Sequence, residues 1–230
     1  MISGQSPTEF LDLPENWKAR RVRTFLEKVD DRTEESDAPL LSVSKYTGIR
    51  PREEVDRDRE FRADSTEGYK IVEPGDLVVN IMLAWDGAVG FSEHEGVVSP
   101  SYEIYRLTGQ GDMTYFHYLF RSELYQYEFA RHSTGIRRSR WRLYKSDFFP
   151  IEVLYPPLEQ QSRIASFLDH HTARIDRLVE KKQRLLELLE EKRQAVITEA
   201  VTRGLRRADT KLALAQNPRL ASDPTRPSRN

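Results

Sequence analysis

Apolar and polar positions divide the chain into a series of short strand-like runs followed by one long helical run. Pro39–Ser44, Tyr69–Val72, Leu77–Met82, Gly87–Phe91 and Ser101–Leu107 are β-rich or alternating segments bounded by turn residues, and each predicts a strand. Glu73-Pro-Gly-Asp76 and Trp85-Asp-Gly87 read as tight turns between them. From Thr114 to Ala130 the spacing becomes helical, with Phe116, Leu119, Phe120 and Leu124 on one face. Ile151–Tyr155 predicts a closing strand before Pro156-Pro157. Strands, one helix and a final strand make an α+β domain. Arg50–Asp64, with five bases and six acids, reads as a solvated excursion from it.

The second pattern begins at Leu158. No glycine or proline interrupts the residues up to Arg203, and Pro157 suits a first helical turn, so one helix is expected over 158–203. Alternating steps of four and three from Ile164 select Leu168, His171, Ile175, Leu178, Lys182, Leu185, Leu189, Lys192 and Val196. Ile164, Leu168, Ile175, Leu178, Leu185, Leu189 and Val196 form an apolar seam interrupted by polar positions, the pattern of a coiled coil with a fixed register. A helix of this length extends about 69 Å and needs a partner helix to cover its stripe, so self-association is expected. The alternative is a core helix broken by a turn that the composition does not show. After Gly204 the chain becomes rich in Arg, Pro and Ser and reads as a disordered tail. The expected organisation is a globular domain at 1–155, a dimerisation helix at 156–204 and a tail at 205–230.

Composition sharpens this division. The chain has 230 residues, 36 Lys+Arg, 37 Asp+Glu and no cysteine. That excludes a disulfide scaffold, a thiolate zinc site and a cysteine nucleophile. No apolar run approaches a membrane span and the first ten residues lack a signal-peptide layout, so a cytoplasmic protein without a membrane partner is expected. A net charge of −1 argues against nucleic acid only until it is resolved locally. Residues 1–155 sum to −6 and residues 156–230 to +5, and 22 of the 23 aromatics lie in the first part.

Within the acidic part lies Arg131–Lys145, RHSTGIRRSRWRLYK, with six bases and no acid. Guanidinium forks match phosphate oxygens and the guanine edge, and Trp141 and Tyr144 can pack on sugars or bases. The other 140 residues of that part carry −12, so the basic run focuses a polyanion onto one surface. Arg131, Arg137, Arg138, Arg140, Trp141, Arg142, Tyr144 and Lys145 are therefore candidate DNA contacts. Ser44, Lys45, Tyr46 and Trp85 join them as turn residues on a rigid sheet, although Trp85 alone reads more readily as a packed core residue. The bland alternative is a solvated loop whose arginines pair with neighbouring acids.

Motifs for catalysis are missing. The sequence has no Gly-rich phosphate loop, no nucleophile elbow and no H-E-x-x-H. The acid-rich spans Asp30–Asp37 and Glu53–Glu60 carry interspersed arginines, which favours solvated surface over metal binding. Glu180-x-Lys182 and Glu190-x-Lys192 are better explained as helical charge pairs than as nuclease residues. The histidines have no ligand spacing. Binding rather than catalysis is the reading, with no metal and no cofactor held by this chain.

Beginning at Pro156-Pro-Leu-Glu-Gln160, the helical segment resembles the spacer region of type I restriction-modification specificity subunits. Ile164-Ala-Ser-Phe-Leu-Asp169, Ile175-Asp176, Leu185-Leu186, Lys192-Arg-Gln-Ala195 and Val201-Thr-Arg-Gly-Leu205 recur in that order. Leu13-Pro-Glu-Asn-Trp-Lys18, Glu73-Pro-Gly-Asp-Leu77 and Ser146-Asp147 are similar to positions in target-recognition domains. The resemblance implies a non-catalytic DNA-binding subunit. Its partners would be methyltransferase (modification) subunits using S-adenosylmethionine and a motor-nuclease subunit using ATP and Mg. Family members carry two recognition domains and two spacers packed as an antiparallel pair. One domain and one spacer here imply that this chain pairs with itself, or with another half-length subunit, to read a bipartite inverted target. A stand-alone dimeric DNA-binding regulator and a coiled-coil assembly protein that binds no DNA are the alternatives.

Overall fold

The turn residues seen in the sequence close short antiparallel ladders in the computed structural model, which describes residues 13–34, 37–46, 48–55 and 66–204. In chain order the strands are β1 (Lys18–Arg21), β2 (Leu26–Val29), β3 (Leu41–Ser44), β4 (Gly48–Pro51), β5 (Lys70–Val72), β6 (Leu77–Asn80), β7 (Val89–Phe91), β8 (Gly96–Val98), β9 (Tyr102–Leu107) and β10 (Glu152–Tyr155). The helices are α1 (Arg52–Val55), α2 (Met113–Arg121), α3 (Glu123–His132), α4 (Lys145–Phe148) and α5 (Leu158–Arg203). Strands β2-β9-β6-β7 form a four-stranded sheet, and β1-β10, β3-β4 and β5-β8 are separate antiparallel pairs. This is the expected α+β class with a long C-terminal helix.

All five expected strands and the closing strand are present. Four more were not expected. β1, Lys-Ala-Arg-Arg, is exposed at every position, so it carries no apolar alternation, and its ladder partner lies at the far end of the domain. β4 and α1 occupy the described beginning of the expected excursion, and residues 56–65 of it lie outside the described residues. β8 is buried throughout and short, and Gly96 is required there: a Cβ would stand 2.4 Å from the Pro39 carbonyl.

The turn before β6 explains the Glu73-Pro-Gly-Asp motif. Pro74 presets the turn, Gly75 takes φ +95° and the Asp76 N–H donates to the Glu73 carbonyl at 3.0 Å. Buried Asp76 then accepts from Arg106 Nε at 2.8 Å, from Arg106 Nη2 at 3.0 Å and from the Glu73 N–H at 2.9 Å. Truncation by Asp76→Ala is expected to lower stability in urea unfolding by about 2 kcal/mol, because Arg106 can turn to water while the Glu73 N–H loses its acceptor.

The helix expected over Thr114–Ala130 is instead two helices, α2 and α3, and Ser122 separates them. Its backbone is extended at φ −66°, ψ 153°. Its hydroxyl donates to the Leu119 carbonyl at 2.7 Å and accepts from the Tyr125 N–H at 3.5 Å, so it caps both helices at once. Phe116 and Phe120 are fully buried in the main core with Phe25, Tyr125, Phe129 and Phe148, while Leu119 and Leu124 pack against its edge. A second cluster, Leu41, Val43, Ile49, Val72, Val78, Val98 and Ile104, lies on the other face of the sheet strands β6 and β9.

Helix α2 lies beside β7, where the Phe91 N–H donates to His117 Nδ1 at 3.3 Å. Burial, reinforced by the charge of Arg121 and opposed by Asp169, pushes the imidazole down to about 4. A folded pKa below the unfolded value means that the unfolded chain takes up this proton first. The contribution is present in full above about pH 6.5 and is lost as pH falls from there towards 4, by as much as ~3 kcal/mol. His117→Gln is expected to flatten this limb in denaturant titrations across that range.

The chain divides into two units, Met1–His170 and His171–Asn230. The first unit takes in the opening turns of α5 as well as the residues before Pro156. Trp17 Nε1 donates to Gln160 Oε1 at 2.7 Å, and the Asp112 N–H donates to Gln161 Oε1 at 2.9 Å. Tyr118 OH donates to Asp169 Oδ1 at 2.8 Å. Gln161 and Ala165 are buried, and Ile164 packs against the main core. Of the expected seam positions in this unit, Ile164 is half-buried and packs against the main core, and Leu168 is half-buried. In the second unit the seam positions Ile175, Leu178, Leu185, Leu189 and Val196 are all more than half exposed. The expected tail, 205–230, lies outside the described residues. Among the described residues no helix is long and apolar enough to cross a membrane.

Candidate nucleic-acid interface

The basic run leaves the globular unit as a loop closed at its base. The Thr134 N–H donates to the Arg142 carbonyl at 3.0 Å and the Arg142 N–H returns to Thr134 at 2.9 Å. Leu143, buried, anchors the exit by donating its N–H to the Ile81 carbonyl at 2.9 Å. Arg138–Arg140 make one 3-10 turn within the loop. Gly135, at φ +145°, passes so close to the other side that a Cβ would stand 2.5 Å from the Arg140 carbonyl. A loop pinned in this way loses little further freedom when it meets a ligand.

Trp85 and Trp141 meet edge to face at 5.9 Å, and the Arg138 guanidinium lies 4.4 Å from the Trp85 ring centre. Trp85 is half-buried, with Nε1 donating to the Met82 carbonyl at 2.9 Å. Its rings thus form a base on which an arginine is held, so it serves packing and surface together. The neighbouring residue, Asp86, pairs with Lys45 at 3.0 Å, and Lys45 lies over the exposed Tyr46 ring. Ser44 sits beneath: its hydroxyl accepts from the Tyr46 N–H at 3.1 Å, and Arg121 donates to the Ser44 and Lys45 carbonyls. The hydrogen bond to Asp86 raises the Lys45 pKa.

The structure therefore gathers Lys45, Tyr46, Trp85, Arg138 and Trp141 onto one surface, and adds the exposed Arg137 and Arg140 from the loop. Arg142 is half-buried and donates to the Trp141 carbonyl; Tyr144 and Lys145 are exposed at the loop's exit. Arg131 stands apart. It closes the last turn of α3 on the buried Glu128 at 2.8 Å, so its charge is already answered. By contrast, Arg137, Arg138, Arg140, Arg142 and Lys145 make no ion pair with any described residue. Among the described residues, a pairing with a neighbouring acid is made by Arg131 and by none of these five.

The sequence from residue 14 to residue 188 matches the family model described as type I restriction modification DNA specificity domain. The chain belongs to this family. Its members serve DNA recognition, in keeping with a site made of unpaired cations and aromatic rings. Three solved structures share the specificity-domain fold. The HsdS subunit from Thermoanaerobacter tengcongensis superposes with a TM-score of 0.55 at 18% identity, over 86% of this chain and 48% of that one. A structure describing complex assembly and conformational transition of the type I R-M system gives 0.60 at 16% identity, over 87% and 49%. The S subunit from M. genitalium gives 0.50 at 14% identity, over 85% and 48%. The specificity domain described here thus spans about half the length of the chains it matches. No curated protein matches it.

One cationic strip escaped the sequence reading. Lys18, Arg20, Arg21 and Arg23 are exposed within six residues that contain no acid. A count of charge in short windows would have found it. The Arg23 N–H donates to the Phe149 carbonyl at 3.2 Å, and the Lys145 ammonium lies 4.9 Å from the Phe149 ring, so this strip continues from the loop's exit.

Proposed function

We propose that this chain is a sequence-specific DNA-binding specificity subunit that reads one half-site of a bipartite target. The observation that carries the reading is the group of five loop cations with no acidic partner among the described residues, one of which, Arg138, lies over the Trp85 and Trp141 rings, in an otherwise acidic domain. The contacts to phosphate supply affinity, and loop side chains supply sequence preference. Two copies, or this chain and another half-length subunit, pair as an antiparallel coiled coil through Ile175, Leu178, Leu185, Leu189 and Val196, which presents two inverted recognition domains. Modification subunits dock on the assembly and methylate adenine with S-adenosylmethionine. A motor-nuclease subunit supplies ATP- and Mg-dependent cleavage. The chain itself performs no chemistry.

The test joins three measurements on the full chain: a gel shift on random duplex at low salt, co-purification with a methyltransferase, and methylation mapping of the host genome. Binding, co-purification and a palindromic bipartite adenine motif are expected. Binding without a methyltransferase would make the chain a free-standing regulator, and a paired helix without DNA binding would make it an assembly protein.

A further inference from the structure

Just inside the base of the basic loop stands an apolar side chain almost wholly open to solvent. Ile136 is 99% exposed, the most exposed large apolar residue among those described. It lies between Gly135, whose backbone crosses the loop against Arg140, and the cations Arg137 and Arg138. The clamp between Thr134 and Arg142 on one side and the stacking of Arg138 on Trp85 on the other hold the segment that carries it. Scattered exposed apolar residues are ordinary on protein surfaces. Here, however, the residue is held in a pinned loop directly before the cations Arg137 and Arg138, and a solvated loop gains nothing from an isoleucine at that point.

In the major groove, the one apolar group that distinguishes a base edge is the C5-methyl of thymine. Arginines can hold phosphates or a guanine edge on either side, but no cation rewards that methyl. We propose that Ile136 is a specificity-determining residue that packs on a thymine C5-methyl in the major groove of the half-site. The inference rests on the DNA-binding reading above. It adds a residue that makes no phosphate contact and that charge alone does not reveal.

The test uses duplexes selected from a random pool by the full chain, together with any modification subunit that co-purifies. Each thymine of the selected half-site is replaced singly by deoxyuridine, which removes only the methyl. At one position the replacement should weaken wild-type binding about three- to tenfold. Ile136→Ala should weaken binding to the thymine duplex by a similar factor and become indifferent to deoxyuridine at that position, so the two losses do not add. The salt slope should stay as in the wild type, and Ile136→Val should keep the thymine preference. Independent, additive losses at every thymine overturn the proposal, as do a selected half-site without thymine and an Ile136→Ala chain with unchanged affinity. A wild-type chain that binds no duplex at low salt overturns the DNA-binding reading itself, and this inference with it.

Discussion

Replacing Arg137, Arg138 and Arg140 together with alanine should flatten the dependence of log affinity on log salt by about 2.7, close to 0.9 for each lost phosphate contact. All three are exposed and none is paired with an acid among the described residues, so their charge is offered to a ligand. Their removal takes the net charge of residues 1–155 from −6 to −9, and nonspecific binding should fall most steeply. None of them lies in the core, so the thermal midpoint should stay within a few degrees of the wild type. Arg131→Ala supplies the contrast. It strands the buried Glu128 carboxylate and should lower stability while leaving the salt slope nearly intact. An unchanged slope in the triple variant would place the interface elsewhere, with the strip Lys18–Arg23 the next surface to examine.

The second large effect concerns the helix. Leu185→Asp with Leu189→Asp should convert a dimer into a species of the 26.9 kDa chain mass by light scattering. Both leucines are more than half exposed in the single chain, and each would be buried twice in a symmetric pair. At about 1.5–3 kcal/mol per buried leucine, with a carboxylate placed in the seam besides, the dissociation constant should rise by about 10³-fold or more. The globular unit does not depend on these positions, so its unfolding transition should persist. Half-site binding should persist too, with the affinity for an inverted pair of half-sites reduced to that of a single one. A wild-type chain that is already monomeric at micromolar concentration would remove the homodimer and leave pairing with a different half-length subunit.

Much of this protein is local chemistry and could be read without coordinates. The long helix runs over 158–203 as expected because 46 residues without glycine or proline leave the backbone no reason to stop. The Glu73–Asp76 turn follows from a proline and a glycine at the positions such a turn requires. The basic loop announces itself by six charges of one sign. Each of these features depends on residues within a few positions of one another.

What depended on distant parts of the chain could not be read in this way. β1 is a strand because β10, some 130 residues away, offers it a ladder; its own residues show no pattern. Trp85 and Trp141 become one platform only once the loop folds back over the turn at Ala84–Asp86, and that contact turns a presumptive core residue into part of a surface. Ile164 shares a heptad register with Ile175 and Leu178, yet it packs against the core of the globular unit and is half-buried there. Ser122 ends one helix and begins another, although the apolar spacing runs through it unbroken. Arg131 and Arg137 are indistinguishable as letters, but one faces a buried glutamate and the other faces water. Periodicity and charge are properties of neighbours along the chain, whereas burial and pairing belong to neighbours in space. The sequence therefore settled the class of fold, the long helix and the sign of the binding loop, and the packing chose which side chains remain free to bind.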